Sequence, residues 1–193
     1  MSIILETISE KQKLIISKDL LDYQFIMLNW KTNTKDFQDV YYEFYLKARW
    51  AIMKNPQNRE AYFDILKSTD KTTKLIEVIN VLKTKLTKES YEFSLCSKLL
   101  HTVNPNSPIY DSKVRKYLSA EKGMDFWFNT GKNNNKTTQE KIEHDWKILC
   151  EWYEKFLDSK DGKEWVDWFD NNFPSYNSIS DYKKIDCIIF ATN

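Results

Sequence analysis

Apolar residues return every three or four positions through most of this chain and almost nowhere every second one, which predicts helices rather than strands. Residues 18–30 carry Leu20, Leu21, Phe25 and Leu28 on one side. Residues 36–54 read as one longer helix opened by Asp36, with Phe37, Val40, Tyr41, Phe44 and Trp50 as its apolar positions. Asn55-Pro56-Gln57 ends it, and Asn58 is placed to cap a short helix running to Ser68. Asp70 reads as the cap of a helix whose stripe is Leu75, Ile76, Ile79 and Leu82, and residues 88–103 form the next, with Phe93, Cys96, Leu99 and Leu100 inward.

The pattern breaks at Asn104-Pro105-Asn106-Ser107-Pro108 and restarts as a short helix from about Ser112 to Leu118. Residues 123–136, with a GKNNNK core, read as an exposed loop. Thr137 or Thr138 caps a long helix to Asp158 with Ile142, Trp146, Leu149, Cys150, Tyr153 and Leu157 on its face. Asp161-Gly162 reads as a turn into KEWVDWFDNNF, Pro174 ends that element, and Ser178 or Ser180 caps a final helix, DYKKIDCIIFA. About eight helices, no strand and no internal repeat predict one compact all-α domain over residues 1–193, with an exposed loop at about 120–136.

Composition supports this reading. Three glycines and four prolines in 193 residues leave little for the tight turns of a sheet protein. No apolar run approaches a membrane span, so no membrane partner is expected. The opening MSIILETISEK has a short apolar patch followed by acidic residues and does not read as a signal peptide. Cys96, Cys150 and Cys187 are odd in number and far apart, which predicts buried free thiols and a reducing, cytoplasmic setting.

Charge is uneven although the net is +1. Residues 98–136 hold seven basic and three acidic residues, whereas residues 137–193 hold seven basic and twelve acidic ones. The positive segment contains the helix break, the Lys113-Arg115-Lys116 cluster and the Asn/Lys loop. A local basic surface of this kind can bind a phosphate backbone; it is also what an ordinary solvated face looks like.

Phosphate-binding glycine loops, HExxH and GxSxG are absent. The two histidines cannot build a His-rich metal site. His144, one turn after Glu140, reads as part of a solvated helix face, and His101 as a helix-end imidazole. No metal and no cofactor are expected. Trp165, Trp168, Phe169 and Phe173 recur at helical spacing in an acidic stretch, which predicts core packing rather than base stacking.

The segment FSLCSKLLHTVNPNSPIYDSKVRKYL, residues 93–118, carries the one chemical suggestion. An amphipathic helix, a proline loop, two apolar residues and an aspartate open a basic helix. This order resembles the catalytic segment of the helix-hairpin-helix base-excision DNA glycosylases, all-α enzymes whose essential aspartate opens a helix. The chain also resembles a group of small bacterial proteins of unassigned function with segments like SKLL…NP…PI.D and a late KKIDfilw element. The latter corresponds here to Lys183-Lys184-Ile185-Asp186-Cys187-Ile188-Ile189-Phe190.

The glycosylase resemblance implies Asp111 as the working carboxylate. The family's phosphate-gripping glycine hairpin has no counterpart, because KLTKESYEFS contains no glycine. The position matching the lysine nucleophile of bifunctional members is Phe93. Lys98, five residues on, faces another side of the helix and is not a nucleophile. Any activity implied is therefore that of a monofunctional DNA glycosylase, a hydrolase of DNA repair. Asp111 would stabilise positive charge on the sugar of a flipped nucleotide, with Lys98, Lys113, Arg115 and Lys116 as candidate nucleic-acid contacts. The other reading is a non-catalytic helical module that binds nucleic acid or protein, in a mobile-element or defence system, with Asp111 only a helix cap.

Overall fold

The computed structural model describes residues 5–192; the first four residues of the N-terminal apolar patch, on which the signal-peptide reading partly rests, lie outside the described residues. The described residues are all-helical, with no strand among them, and no helix is long and apolar enough to cross a membrane. In chain order the helices are α1 (Glu10–Asn29), α2 (Lys35–Tyr41), α3 (Trp50–Met53), α4 (Pro56–Ser68), α5 (Leu75–Lys85), α6 (Phe93–Val103), α7 (Ser112–Lys122), α8 (Thr138–Asp158), α9 (Lys160–Asn172) and α10 (Asp181–Ala191). A π turn over Tyr42–Leu46 and a 3-10 turn over Lys47–Arg49 join α2 to α3. Contacts cluster in two compact units, Lys18–Asn104 and Met1–Ser17 with Pro105–Asn193.

In the Lys18–Asn104 unit, α6 packs on α4, α5 and the π turn. It is buried almost throughout, from Phe93 and Leu95 to Val103. The expected continuous helix over 36–54 is instead interrupted by the π turn. The spacing of Phe37, Tyr41 and Tyr45 is four residues, and widening one turn brings Leu46 inward as well. Trp50 is thereby left outside, under the Lys54 ammonium at 4.4 Å. Along α1 the buried positions are Ile16, Leu20, Tyr23 and Ile26, not the expected Leu21 and Leu28, which are 61% and 83% exposed. Both sets have helical spacing, so periodicity alone could not choose between them.

Caps also shift. Asn55, not Asn58, caps α4, accepting from the Gln57 amide at 2.9 Å. Asn58 is buried and ties the Ile52 carbonyl to the Thr87 amide. Asp70 does not cap α5, whose N-cap position is Lys74; it closes a local turn with Thr72 and Thr73 ahead of that helix. His101 is buried, its Nε2 3.0 Å from the Tyr23 hydroxyl.

A buried hydroxyl network, Tyr62–Tyr41–Thr102, with 3.1 Å between successive oxygens, runs through this core. Burial pushes the Tyr41 hydroxyl from 10.0 up to about 12. The unfolded chain therefore gives up this proton from pH 10 upward while the folded chain holds it to about 12. Stability is full below pH 10 and falls between the two values, by about 3 kcal/mol from this group. Thermal unfolding from pH 9 to 12 should show a decline to which other buried hydroxyls and thiols also contribute, and Tyr41→Phe should make it shallower by about this amount. An equally steep decline in the variant would remove Tyr41 as one of its sources.

In the other unit α9 lies against α8 and α10, and α10 against α7. Trp165, Phe169 and Phe173 are core, with Trp165 edge-on to Phe156 at 5.1 Å, whereas the expected Trp168 is only half-buried. Ser159, rather than Asp161-Gly162, makes the break, capping α9 through the Gly162 amide. Ser180 caps α10 and donates to the Pro105 carbonyl at 2.7 Å, tying the last helix to the NPNSP segment. α7 runs past the expected Leu118 to Lys122, where Gly123 closes it in the left-handed conformation.

Candidate functional site

Asp111 stands where an extended residue meets a new helix. Pro105 prevents α6 from continuing past Asn104, and after Pro108 the residues Ile109 and Tyr110 are buried. Asp111 itself adopts φ −135°, ψ 175° and caps α7. Its Oδ1 accepts from the Lys113 amide at 2.8 Å and the Val114 amide at 2.9 Å. The side chain is half-buried. Two amides and the positive end of the helix hold this carboxylate in one orientation.

The neighbouring cations differ in what they hold. Lys113 donates to the Phe190 carbonyl at 3.3 Å and lies 4.4 Å from the Phe190 ring, joining α7 to the end of α10. Arg115 donates to the Phe128 carbonyl at 3.2 Å. Lys116 is exposed. Lys98 belongs to the other unit, where it is buried with its ammonium on the Tyr45 carbonyl at 3.3 Å.

Behind Asp111 stands a carboxylate the sequence reading did not single out. Asp145 on α8 is completely buried. Its Oδ1 accepts from the Trp127 amide at 2.7 Å, and its Oδ2 from the Phe128 amide at 3.0 Å and the Tyr110 hydroxyl at 3.1 Å. Burial, with the Asp145 charge adding to it, pushes the Tyr110 hydroxyl far up; Arg115 works the other way. His144 lies flat on the Trp127 ring, centroids 3.4 Å apart, with Nδ1 3.2 Å from Asp145 Oδ1. It is not the solvated face residue expected. The supposed loop at 123–136 is likewise continuously exposed only from Asn129 onward, because Phe126 and Phe128 are buried.

On the α10 side, Lys183 and Asp186 form a buried ion pair, Nζ to Oδ2 2.6 Å. Lys184 pairs with Asp170 at 2.9 Å and Asp181 at 3.0 Å; burial opposes its charge, but these partners outweigh burial and raise its pKa. Tyr153 of α8 stacks on Tyr182, centroids 5.1 Å apart. Burial pushes the Tyr153 hydroxyl well up, Asp186 and then Asp111 add to this, and Lys183 opposes it. α7 packs against α10 and Lys113 reaches the Phe190 carbonyl, so the PIYD and KKID segments come together, with Tyr153 on Tyr182 one turn before Asp186. The only sequence signal for this was the pairing of those two segments in the small bacterial group.

Among the described residues no group of three or more His, Cys, Asp or Glu side chains could hold a metal ion. Cys96 and Cys187 are buried and Cys150 half-buried; burial raises the thiol pKa of Cys96 well up and that of Cys150 to about 12, which disfavours thiolate chemistry. Compared with protein-family models, curated proteins and solved structures, the chain matches none of them.

Proposed function

We propose that this protein is a DNA-directed hydrolase of base-excision glycosylase-like architecture, cleaving an N-glycosidic bond with Asp111 as the stabilising carboxylate. The observation that carries the reading is the pinning of Asp111 by two amides through Oδ1 while its side chain is half-exposed at the start of a basic helix. A carboxylate so fixed needs no reorganisation to oppose charge developing at the sugar C1′. Lys116, Lys113 and Arg115 supply positive potential for the phosphates on either side of a flipped nucleotide. Lys98, already buried on a carbonyl, contributes nothing to that surface in this reading.

The test is base release from duplex oligonucleotides carrying uracil or an alkylated purine, read as abasic sites cleaved by alkali. Asp111→Asn keeps an oxygen for the cap and removes the charge. A loss of about 100- to 1,000-fold is expected, with folding and DNA affinity retained. Undiminished release by the variant, or none by the unaltered chain, overturns the proposal. The second reading, a non-catalytic binding module, is favoured by the full engagement of Asp111 as a cap. It predicts that Asp111→Asn is silent while Lys116→Ala weakens DNA binding and lowers its salt dependence.

A further inference from the structure

We propose that Tyr153 and Asp186 complete the Asp111 site as the pair that holds and deprotonates the attacking water, so that the reaction uses two carboxylates rather than one. This rests on the glycosidic reading above. Tyr153 is fully buried and Asp186 is 3% exposed. The Tyr153 hydroxyl and Asp186 Oδ1 are both buried, and neither has a hydrogen-bond partner among the described residues. One is a donor and the other an acceptor, yet they do not bond each other. Buried polar atoms are ordinarily satisfied, and leaving one unmatched costs about 1–3 kcal/mol. Tyr153 stacks on Tyr182, one helical turn before Asp186 on α10, so a donor and an acceptor lie in one neighbourhood and suit a third group that accepts from the phenol and donates to the carboxylate. Water is the smallest such group.

The rest of the cluster suits this role. Lys183 takes Asp186 Oδ2 at 2.6 Å, which orients the carboxylate and leaves Oδ1 as the acceptor. α10, which carries both residues, is tied at one end by Ser180 to the Pro105 carbonyl and at the other by Lys113 to the Phe190 carbonyl. The same segments that place Asp111 therefore place Asp186.

In the step, the bond from C1′ to the base nitrogen breaks and its electron pair leaves with the base. Asp111 faces the positive charge left on the sugar. The water oxygen bonds to C1′ while one of its protons passes to Asp186 Oδ1. The departing base takes a proton from solvent, and Asp186 later returns its own to solvent. One water is consumed, and a free base and an abasic sugar result.

The experiment uses the full chain and the oligonucleotides above, comparing Tyr153→Phe and Asp186→Asn with Asp111→Asn. Single-turnover base release, DNA affinity and thermal unfolding are measured for each. Tyr153→Phe removes a hydroxyl that bonds none of the described residues, so unfolding temperature and affinity should hold while release falls about tenfold or more. Asp186→Asn should lower release by about 100-fold or more, the ordinary size of a lost general base. If both release base at the unaltered rate while Asp111→Asn is inactive, the two-carboxylate inference fails and the glycosidic reading stands. If the unaltered chain releases nothing, both fail. Should Asp186→Asn not fold, Tyr153→Phe decides alone.

Discussion

Asp145→Ala is expected to cost about 4–5 kcal/mol, a large part of the stability of an ordinary domain. The carboxylate is completely buried and accepts from the Trp127 and Phe128 amides and the Tyr110 hydroxyl. Alanine removes the acceptor and leaves the donors in place. Each stranded buried donor costs roughly 1–3 kcal/mol, and the Trp127 amide recovers part of its share from solvent. The penalty falls on the turn that brings Phe126 and Phe128 into the core. Thermal unfolding should show a drop of roughly 10–20 °C. Asp145→Asn should cost less, because one oxygen still accepts from Trp127 while the new NH₂ faces the Phe128 amide. An alanine variant within about 1 kcal/mol of the unaltered chain would show that Asp145 does not hold this turn.

Gly162→Ala should be the second most damaging single change, at about 3 kcal/mol or more. Gly162 lies in the first turn of α9, where that helix folds back on the end of α8. A Cβ there would fall on the Phe156 carbonyl oxygen, 2.7 Å from the Phe156 carbonyl carbon and 2.9 Å from Leu157 Cα. These are backbone atoms, so relief requires moving α8 against α9 and disturbing Trp165 on Phe156. Gly123→Ala is the control. It has φ +64° but nothing within 4 Å of its Cβ, so only the left-handed strain of about 1 kcal/mol applies. Denaturant midpoints of the two variants compare the effects directly. A Gly162→Ala cost no larger than that of Gly123→Ala would mean the corner is not close-packed.

The candidate site was half legible. Asp111 was visible as a residue opening a helix after a proline, since Pro108 and the cap act over four positions of chain. The basic residues after it were equally visible, but their engagement was not. Whether Lys113, Arg115 and Lys98 face solvent or bond carbonyls depends on Phe190, Phe128 and Tyr45, which lie far off in sequence. Asp145 gave no signal, because a buried acidic residue on a helix looks like its exposed neighbours Glu143 and Lys147 until its partners are known.

The chain's own pattern determined the all-helical class, where most of the helices end, the cap at Thr137 and the core positions Trp165 and Phe169 of α9. Each of these rests on interactions within a few residues. Tertiary packing alone decided which side of α1 is buried, where the 36–54 helix yields to a π turn, and that Gly162 belongs inside α9. It also decided that the PIYD and KKID segments come together. Two faces of one helix can have equal periodicity, and a chain bend can satisfy several spacings. The choice among them is made by the surface each can bury and by whether its polar groups find partners there, and that surface comes from residues distant in sequence.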